Sequence, residues 1–176
     1  MTNKKMNPNL SPKNNSNKLE NEIFRKYILT FKHYWDKSIR LYSNNEFSLS
    51  IISLQKTIDS LIDLVIIENL VNEKHLTLKF ARKLIRKDGV LNLQAKYNGI
   101  FLEIFEDENL HFLNGLWKYK ISNINHQYFR IINGQKIKDE KVSNKIFYDA
   151  HSAIVEILYL AKHEIHIPSP QMNEPS

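Results

Sequence analysis

One histidine and the polar side chains before it form the part of this chain best suited to chemistry. Residues 118–129 read KYKISNINHQYF, in which Lys120 precedes His126 and Ser122 and Asn123 lie between them. A histidine has an ordinary pKa of about 6.5, so it exchanges a proton near neutral pH. A lysine can balance a phosphate charge, although it lacks the planar fork of an arginine. The stretch is therefore a candidate site for acid–base chemistry, and the alternative is one turn of a helical bundle that carries a histidine.

The spacing of these residues determines which of them can act together on a helix. Lys120 and His126 would lie about 120° apart around the axis of an uninterrupted α-helix. Ser122 and Asn123 share the face of His126 and are the better candidates for orienting its imidazole. Arg130, four residues after His126, could reach the same ligand. The alternatives are a solvated lysine at 120, a hydrogen-bonded helical histidine at 126, and a charge at 130 that the helix dipole favours.

Other pairs of ionisable residues are weaker candidates. His163 and His166 are three residues apart but have no third ligand in register, so accidental spacing explains them better than a metal site. Asp59 and Asp63 share one helix face, and we expect them to form a solvated stripe opposite the core rather than an acid–base pair. The chain has no cysteine, which excludes a disulfide, a thiolate nucleophile and cysteine-bound zinc. We expect no metal and no cofactor.

The distribution of proline predicts the fold class. All five prolines lie near the two ends, and none occurs between residues 13 and 167. Because proline costs about 3 kcal/mol inside a helix and is common in loops, this predicts an all-α protein with short connections. A chain of 176 residues is long enough for one domain with a real core. The sequence predicts a single bundle of four to five up-and-down helices with disordered termini.

Apolar residues recur at intervals of three and four along most of the chain. The pattern predicts helices near 22–43, 46–69, 73–88, 93–129 and 140–165, with a pause at the acidic residues 106–109. The second helix has the broadest apolar stripe and should be the most buried. The expected organisation is a disordered tail over 1–20, a helical bundle over 21–167 and a flexible tail over 168–176.

The charge of the chain gives only a weak indication of its partner. The formal net charge is +6, and residues 1–20 contribute +3 of it through four lysines and one glutamate. The rest of the chain is therefore only mildly basic, and a high content of Lys, Asn and Ile is a sufficient explanation of the pI. No apolar run is long enough to span a membrane, and no targeting signal is evident. We expect no membrane partner and a cytoplasmic location.

Three features together resemble one known family. The first is the helix pair WDKSIRLYSNNEFSLSIISLQKTIDSLIDLVI, the second is His126 followed by Tyr128 and a polar loop, and the third is a closing amphipathic helix. Over residues 22–166 this pattern resembles the HEPN superfamily (higher eukaryotes and prokaryotes nucleotide-binding). The family motif is an arginine, four to six residues, then a histidine. Here Lys120 replaces the arginine, and Ile121 replaces the polar residue that commonly follows it.

The resemblance implies a helical bundle that often forms a symmetric dimer. Many members are metal-independent ribonucleases in toxin, defence or RNA-processing systems, with a cleft that both protomers share. The catalytic residues that the resemblance implies are His126 and Lys120, and the helix spacing adds Ser122, Asn123 and Arg130 as binding residues. Two functions stay open. One is metal-independent RNA cleavage. The other is a catalytically inactive dimeric bundle that binds RNA, a nucleotide or a protein partner such as a nucleotidyltransferase.

Overall fold

The computed structural model describes residues 12–86 and 92–168. Within these ranges the chain forms six helices and no strand, which confirms the predicted all-α bundle. Two of the helices contain an internal π turn and are named here by their outer limits. The helices are α1 (Pro12–Ser43), α2 (Phe47–Asn72), α3 (Leu78–Arg86), α4 (93–104), α5 (106–132) and α6 (Glu140–Leu160).

The second helix lies at the centre of the bundle. Fifteen of the 26 residues of α2 are buried, including Ile58 and Leu61, which are completely inaccessible. Helices α1, α3, α4, α5 and α6 all pack against it. The broad buried stripe predicted for this helix is therefore confirmed. Its aliphatic side chains join Trp35, Tyr97 and Ile154 in one continuous core.

The neighbours of α2 determine which parts of the chain meet. Helix α1 runs back along α2 after a tight turn in which Asn45 has a positive φ of 61°. Helix α5 is antiparallel to α2, because Lys56 contacts Tyr128 whereas Ser48, earlier in α2, accepts a hydrogen bond from the amide of Ile137 beyond the end of α5. The last third of α5 therefore lies beside the middle of α2.

The N-terminal boundary differs from the prediction. Helix α1 begins at Pro12 and not near residue 22, so part of the tail predicted over 1–20 is helical. Proline is favoured in the first turn of a helix, where its missing N–H is not needed, and no glycine or further proline interrupts the residues that follow. Residues 1–11 lie outside the described residues, as do residues 169–176 of the predicted C-terminal tail.

Two other helix ends were placed wrongly from the sequence. Helix α3 begins at Leu78 instead of residue 73, since His75 has a φ of 53° and the chain turns there. Helix α6 ends at Leu160 instead of residue 165, and Lys162, with a φ of 55°, turns the chain away from the helix axis. A left-handed residue of this kind commonly ends a helix.

The interruption of the fourth predicted helix lies at Phe105. This residue has φ −111° and ψ 17°, and the following residues 106–109, predicted as the pause, begin α5. The π turns lie at Tyr97–Phe101 in α4 and Trp117–Ile121 in α5. Lys120 is therefore in a π turn, so the angle calculated for a regular α-helix does not apply to it.

Candidate functional site

Lys120 lies against α6. Its Nζ donates a hydrogen bond to the Ser152 hydroxyl at 2.7 Å and forms an ion pair with the Glu156 carboxylate. Ser152 and Glu156 are one turn apart on α6, so both face the same neighbour. The positive charge of Lys120 is thus balanced by a carboxylate within the protein.

His126 and Arg130 have a different environment. Both side chains are exposed, one turn apart in the regular part of α5. The Arg130 guanidinium donates from Nε to the Gln135 Oε1 at 2.5 Å and from Nη1 to the Gln127 Oε1 at 3.1 Å. Both acceptors are neutral amides, and no carboxylate within residues 12–86 and 92–168 pairs with Arg130. Among the described residues His126 has no hydrogen-bond partner, and no contact joins it to Lys120.

Of the two aromatic residues that follow this histidine, Phe129 shares its helix face, whereas Tyr128 faces α2. The Lys56 Nζ of α2 is 5.8 Å from the centroid of the Tyr128 ring, within the range of a cation–π contact. Phe129, 39% exposed, meets Tyr128 edge-on with 5.5 Å between ring centroids. We name His126, Phe129 and Arg130, which are three and four residues apart on α5, the His126 surface. It combines one cationic side chain with one exposed aromatic ring and an imidazole.

The two residues predicted to orient the imidazole occupy other positions. The Ser122 hydroxyl donates to the backbone carbonyl of Lys118 at 2.9 Å, so its proton is already used. Asn123 is half-buried and makes no hydrogen bond through its side chain to another described residue. Arg130 therefore shares the helix face of His126, whereas Lys120 contacts α6.

A shallow cavity of about 410 Å³ adjoins the Lys120 ion pair. Lys120 and Glu156 form its polar wall, whereas Tyr119, 66% exposed, and Phe112 supply aromatic surface. The Lys118 Nζ lies 5.1 Å from the centroid of the Tyr119 ring. This cavity is separate from the His126 surface, since none of its lining residues belongs to that surface.

Asp59 and Asp63 are not the solvated pair expected from the sequence. Lys96 of α4, which is buried, places its Nζ 2.8 Å from an oxygen of Asp59 and 2.7 Å from an oxygen of Asp63. Burial alone would lower the pKa of Lys96, but the charges of Asp63 and Asp59 outweigh it and hold the pKa above its ordinary value. The two carboxylates are thus structural counter-ions. The signal missed in the sequence was Lys96 among the apolar residues of α4.

His163 pairs with one carboxylate. Its Nε2 lies 2.5 Å from the Glu68 Oε2 of α2. This hydrogen bond raises the pKa of His163, burial lowers it, and the negative charge of Glu68 raises it further, so the pKa lies above its ordinary value. His166 is exposed and does not join the pair. The described ranges contain no group of three or more His, Asp or Glu side chains placed to hold a metal ion.

Comparison of the chain with protein-family models, with curated proteins and with solved structures found no match in any of the three. Within the described part of the chain, no helix has the length and apolar character needed to cross a membrane.

Proposed function

We propose that this chain is a HEPN-like helical bundle that binds single-stranded RNA through the His126 surface without cleaving it. The observation that carries the proposal is the separation of the two cations. Arg130 is exposed beside His126 with only neutral partners, whereas Lys120 is neutralised by Glu156. A surface of this kind can hold a phosphate, but the cation at the motif position before the histidine, Lys120, is not free to join it.

The composition of the His126 surface suits a single strand. Arg130 can balance a backbone phosphate, and Phe129 offers an exposed ring on which a base can stack. Base–aromatic stacking contributes about 1–3 kcal/mol per base and depends little on sequence. Binding of this type is expected to be tolerant of sequence and to weaken with salt.

Cleavage makes a stricter demand on the same residues. Attack of a ribose 2′-hydroxyl on the adjacent phosphate needs a base for the proton and a cation for the charge that develops in the transition state. His126 could supply the first, but Lys120 would have to leave Glu156 to supply the second. Metal-independent ribonuclease activity is the second candidate function, favoured by Arg130, which shares the face of His126 and could replace Lys120.

Fluorescence anisotropy with a labelled single-stranded RNA tests the proposed binding surface. Arg130→Ala should weaken binding about three- to tenfold, since it removes one charged hydrogen bond to phosphate. Arg25→Ala is the matched control, because Arg25 is an exposed arginine on α1. An equal loss in both variants would indicate nonspecific attraction, and unchanged binding in Arg130→Ala would contradict the assignment of the site.

A further inference from the structure

One short segment of the chain carries as much net charge as the whole molecule. Residues 74–87 contain six Lys or Arg and no Asp or Glu, which leaves 19 basic and 19 acidic residues in the rest of the sequence. The formal net charge of +6 is therefore concentrated in this segment, and α3 makes up most of it. A local concentration of positive charge attracts an anionic partner even where the average charge of a protein is low.

Helix α3 places its charges and its apolar residues on opposite sides. Ala81 and Ile85 are buried in the core, and α3 packs against α2. Lys79 and Lys83 are exposed, and each lies two residues from a buried position, which is about half a helical turn. None of the ion pairs in the described ranges involves either lysine. Their charges therefore face solvent.

Phe80 adds an aromatic ring to the exposed side of α3. It is 49% exposed and lies three residues before Lys83, so the two side chains are neighbours on the helix. It is the one exposed large apolar side chain among the described residues of α3. We name Lys79, Phe80 and Lys83 the α3 surface.

We propose that the α3 surface binds single-stranded RNA as a second contact besides the His126 surface, an inference that rests on the proposed function. Lys79 and Lys83 each balance a backbone phosphate, and a base stacks on Phe80. Stacking of this kind accepts any sequence, because every base has a flat face. The two surfaces share no residue, so each can be removed without the other.

An anionic membrane fits the α3 surface less well than a nucleic acid strand. A helix that lies on a membrane buries a continuous apolar face at the level of the lipid headgroups. In α3 the core already covers that face through Ala81 and Ile85, and Phe80 alone remains exposed. One ring between two cations matches a base between two phosphates.

The salt dependence of RNA binding separates the charged contacts from the stacking contact. The measurement is fluorescence anisotropy of a labelled single-stranded RNA with the full chain at several concentrations of sodium chloride. The logarithm of the binding constant falls with the logarithm of salt concentration by about 0.7 for each phosphate that is neutralised on a single strand. Lys79→Ala combined with Lys83→Ala should weaken binding and make this slope shallower by about 1.4. Phe80→Ala should weaken binding at least about fivefold and leave the slope unchanged, since it removes stacking alone.

Lys141→Ala combined with Lys145→Ala is the matched control. These lysines are also exposed and four residues apart on a helix, but Lys145 is paired with Asp149. The control removes the same formal charge and should leave the slope almost unchanged. Equal changes in the two double variants would show that net charge alone attracts the RNA and would overturn the proposal.

The outcomes separate this inference from the proposed function. Binding that Arg130→Ala weakens and the α3 double variant does not would overturn the α3 surface alone. The reverse result would support the α3 surface and contradict the His126 surface. Binding of the wild type to phosphatidylserine vesicles, with no binding to RNA, would overturn both.

Discussion

At the scale of single residues, the buried Lys96 explains why Asp59 and Asp63 are structural counter-ions and not a solvated pair. Its amine lies between Asp59 and Asp63, whose side chains are about a fifth exposed, so three charges share a largely dry environment. Transfer of an ammonium ion from water is costly, and the two carboxylates offset that cost. The group therefore stabilises the contact between α2 and α4 only as long as all three members are present.

Removal of Lys96 alone should be strongly destabilising. Lys96→Ala leaves two carboxylates facing each other, and we expect urea denaturation to show a loss of about 3 kcal/mol in the free energy of unfolding. Lys145→Ala, which removes an exposed lysine paired with Asp149, should cost less than about 0.5 kcal/mol. Lys96→Met combined with Asp59→Asn and Asp63→Asn should recover most of the loss. Equal stability of Lys96→Ala and the wild type would show that the group is not structural.

The candidate site residues could be predicted from the sequence only where the relevant neighbour is local. His126 and Arg130 share a face because they are four residues apart in a helix, and the structure keeps them so. The partner of Lys120 is Glu156, 36 residues later on another helix, and no periodicity within either helix indicates that pairing. The same holds for Asp59 and Lys96, which are 37 residues apart.

At the scale of elements, the ion pair between His163 and Glu68 ties the segment after α6 to the end of α2. Lys162 turns the chain, and Ile165 and Ile167 then pack against the core, so residues 163–168 lie back over the bundle. The ion pair adds one polar contact to these two apolar contacts. Because His163 titrates, the strength of this attachment depends on pH.

The contribution of this pair to stability should fall as pH rises. The pKa of His163 is raised in the folded state, so the stabilisation is fully present below the ordinary value of about 6.5 and is lost as pH rises through the folded value. The difference in free energy of unfolding between the wild type and Glu68→Gln should therefore be larger at about pH 5.5 than at about pH 9. Glu73→Gln, a nearby glutamate without a histidine partner, should show a difference that does not depend on pH. A larger difference at high pH for Glu68→Gln would contradict the ion pair.

The helical nature of each segment could be predicted from the sequence more readily than the residues at which each helix begins and ends. Two signals indicate helices: the absence of proline, which would interrupt a helix, and the three-and-four spacing of apolar residues, which follows the helical period. The ends depend on single left-handed residues such as His75 and Lys162, which are not glycines and carry no strong sequence signal. The π turn at Trp117–Ile121 lies against α6, a contact between distant parts of the chain that neither segment's own spacing indicates.

At the scale of the whole molecule, the homodimer stays a prediction, and the outer face of α6 is a surface on which it can be tested. Tyr148, Val155 and Tyr159 are 59%, 46% and 83% exposed, and their spacing places them along one side of the helix. Lys145 and Asp149 already form an ion pair with each other, so the test concerns the apolar residues of this face.

Sedimentation velocity tests this dimer. The wild type should sediment as a dimer, and Tyr159→Glu should give a monomer with unchanged helicity, because it places a charge in the apolar stripe. Tyr34→Glu, a change of the same type on α1, should remain dimeric. A wild type that is monomeric at all concentrations tested would contradict the dimer but would leave RNA binding by a single copy unaffected.

The central claim, RNA binding without cleavage, is tested most directly in one incubation of purified protein with end-labelled single-stranded RNA and a chelator. A native gel measures the bound fraction, and a denaturing gel measures the length of the RNA in the same sample. We predict a bound fraction that rises with protein concentration and RNA that stays at full length, also with Lys120→Arg, since Glu156 can hold either side chain. RNA shortened to fragments with cyclic phosphate ends, and protected by His126→Ala, would establish the ribonuclease instead. Intact RNA with no bound fraction would contradict both functions.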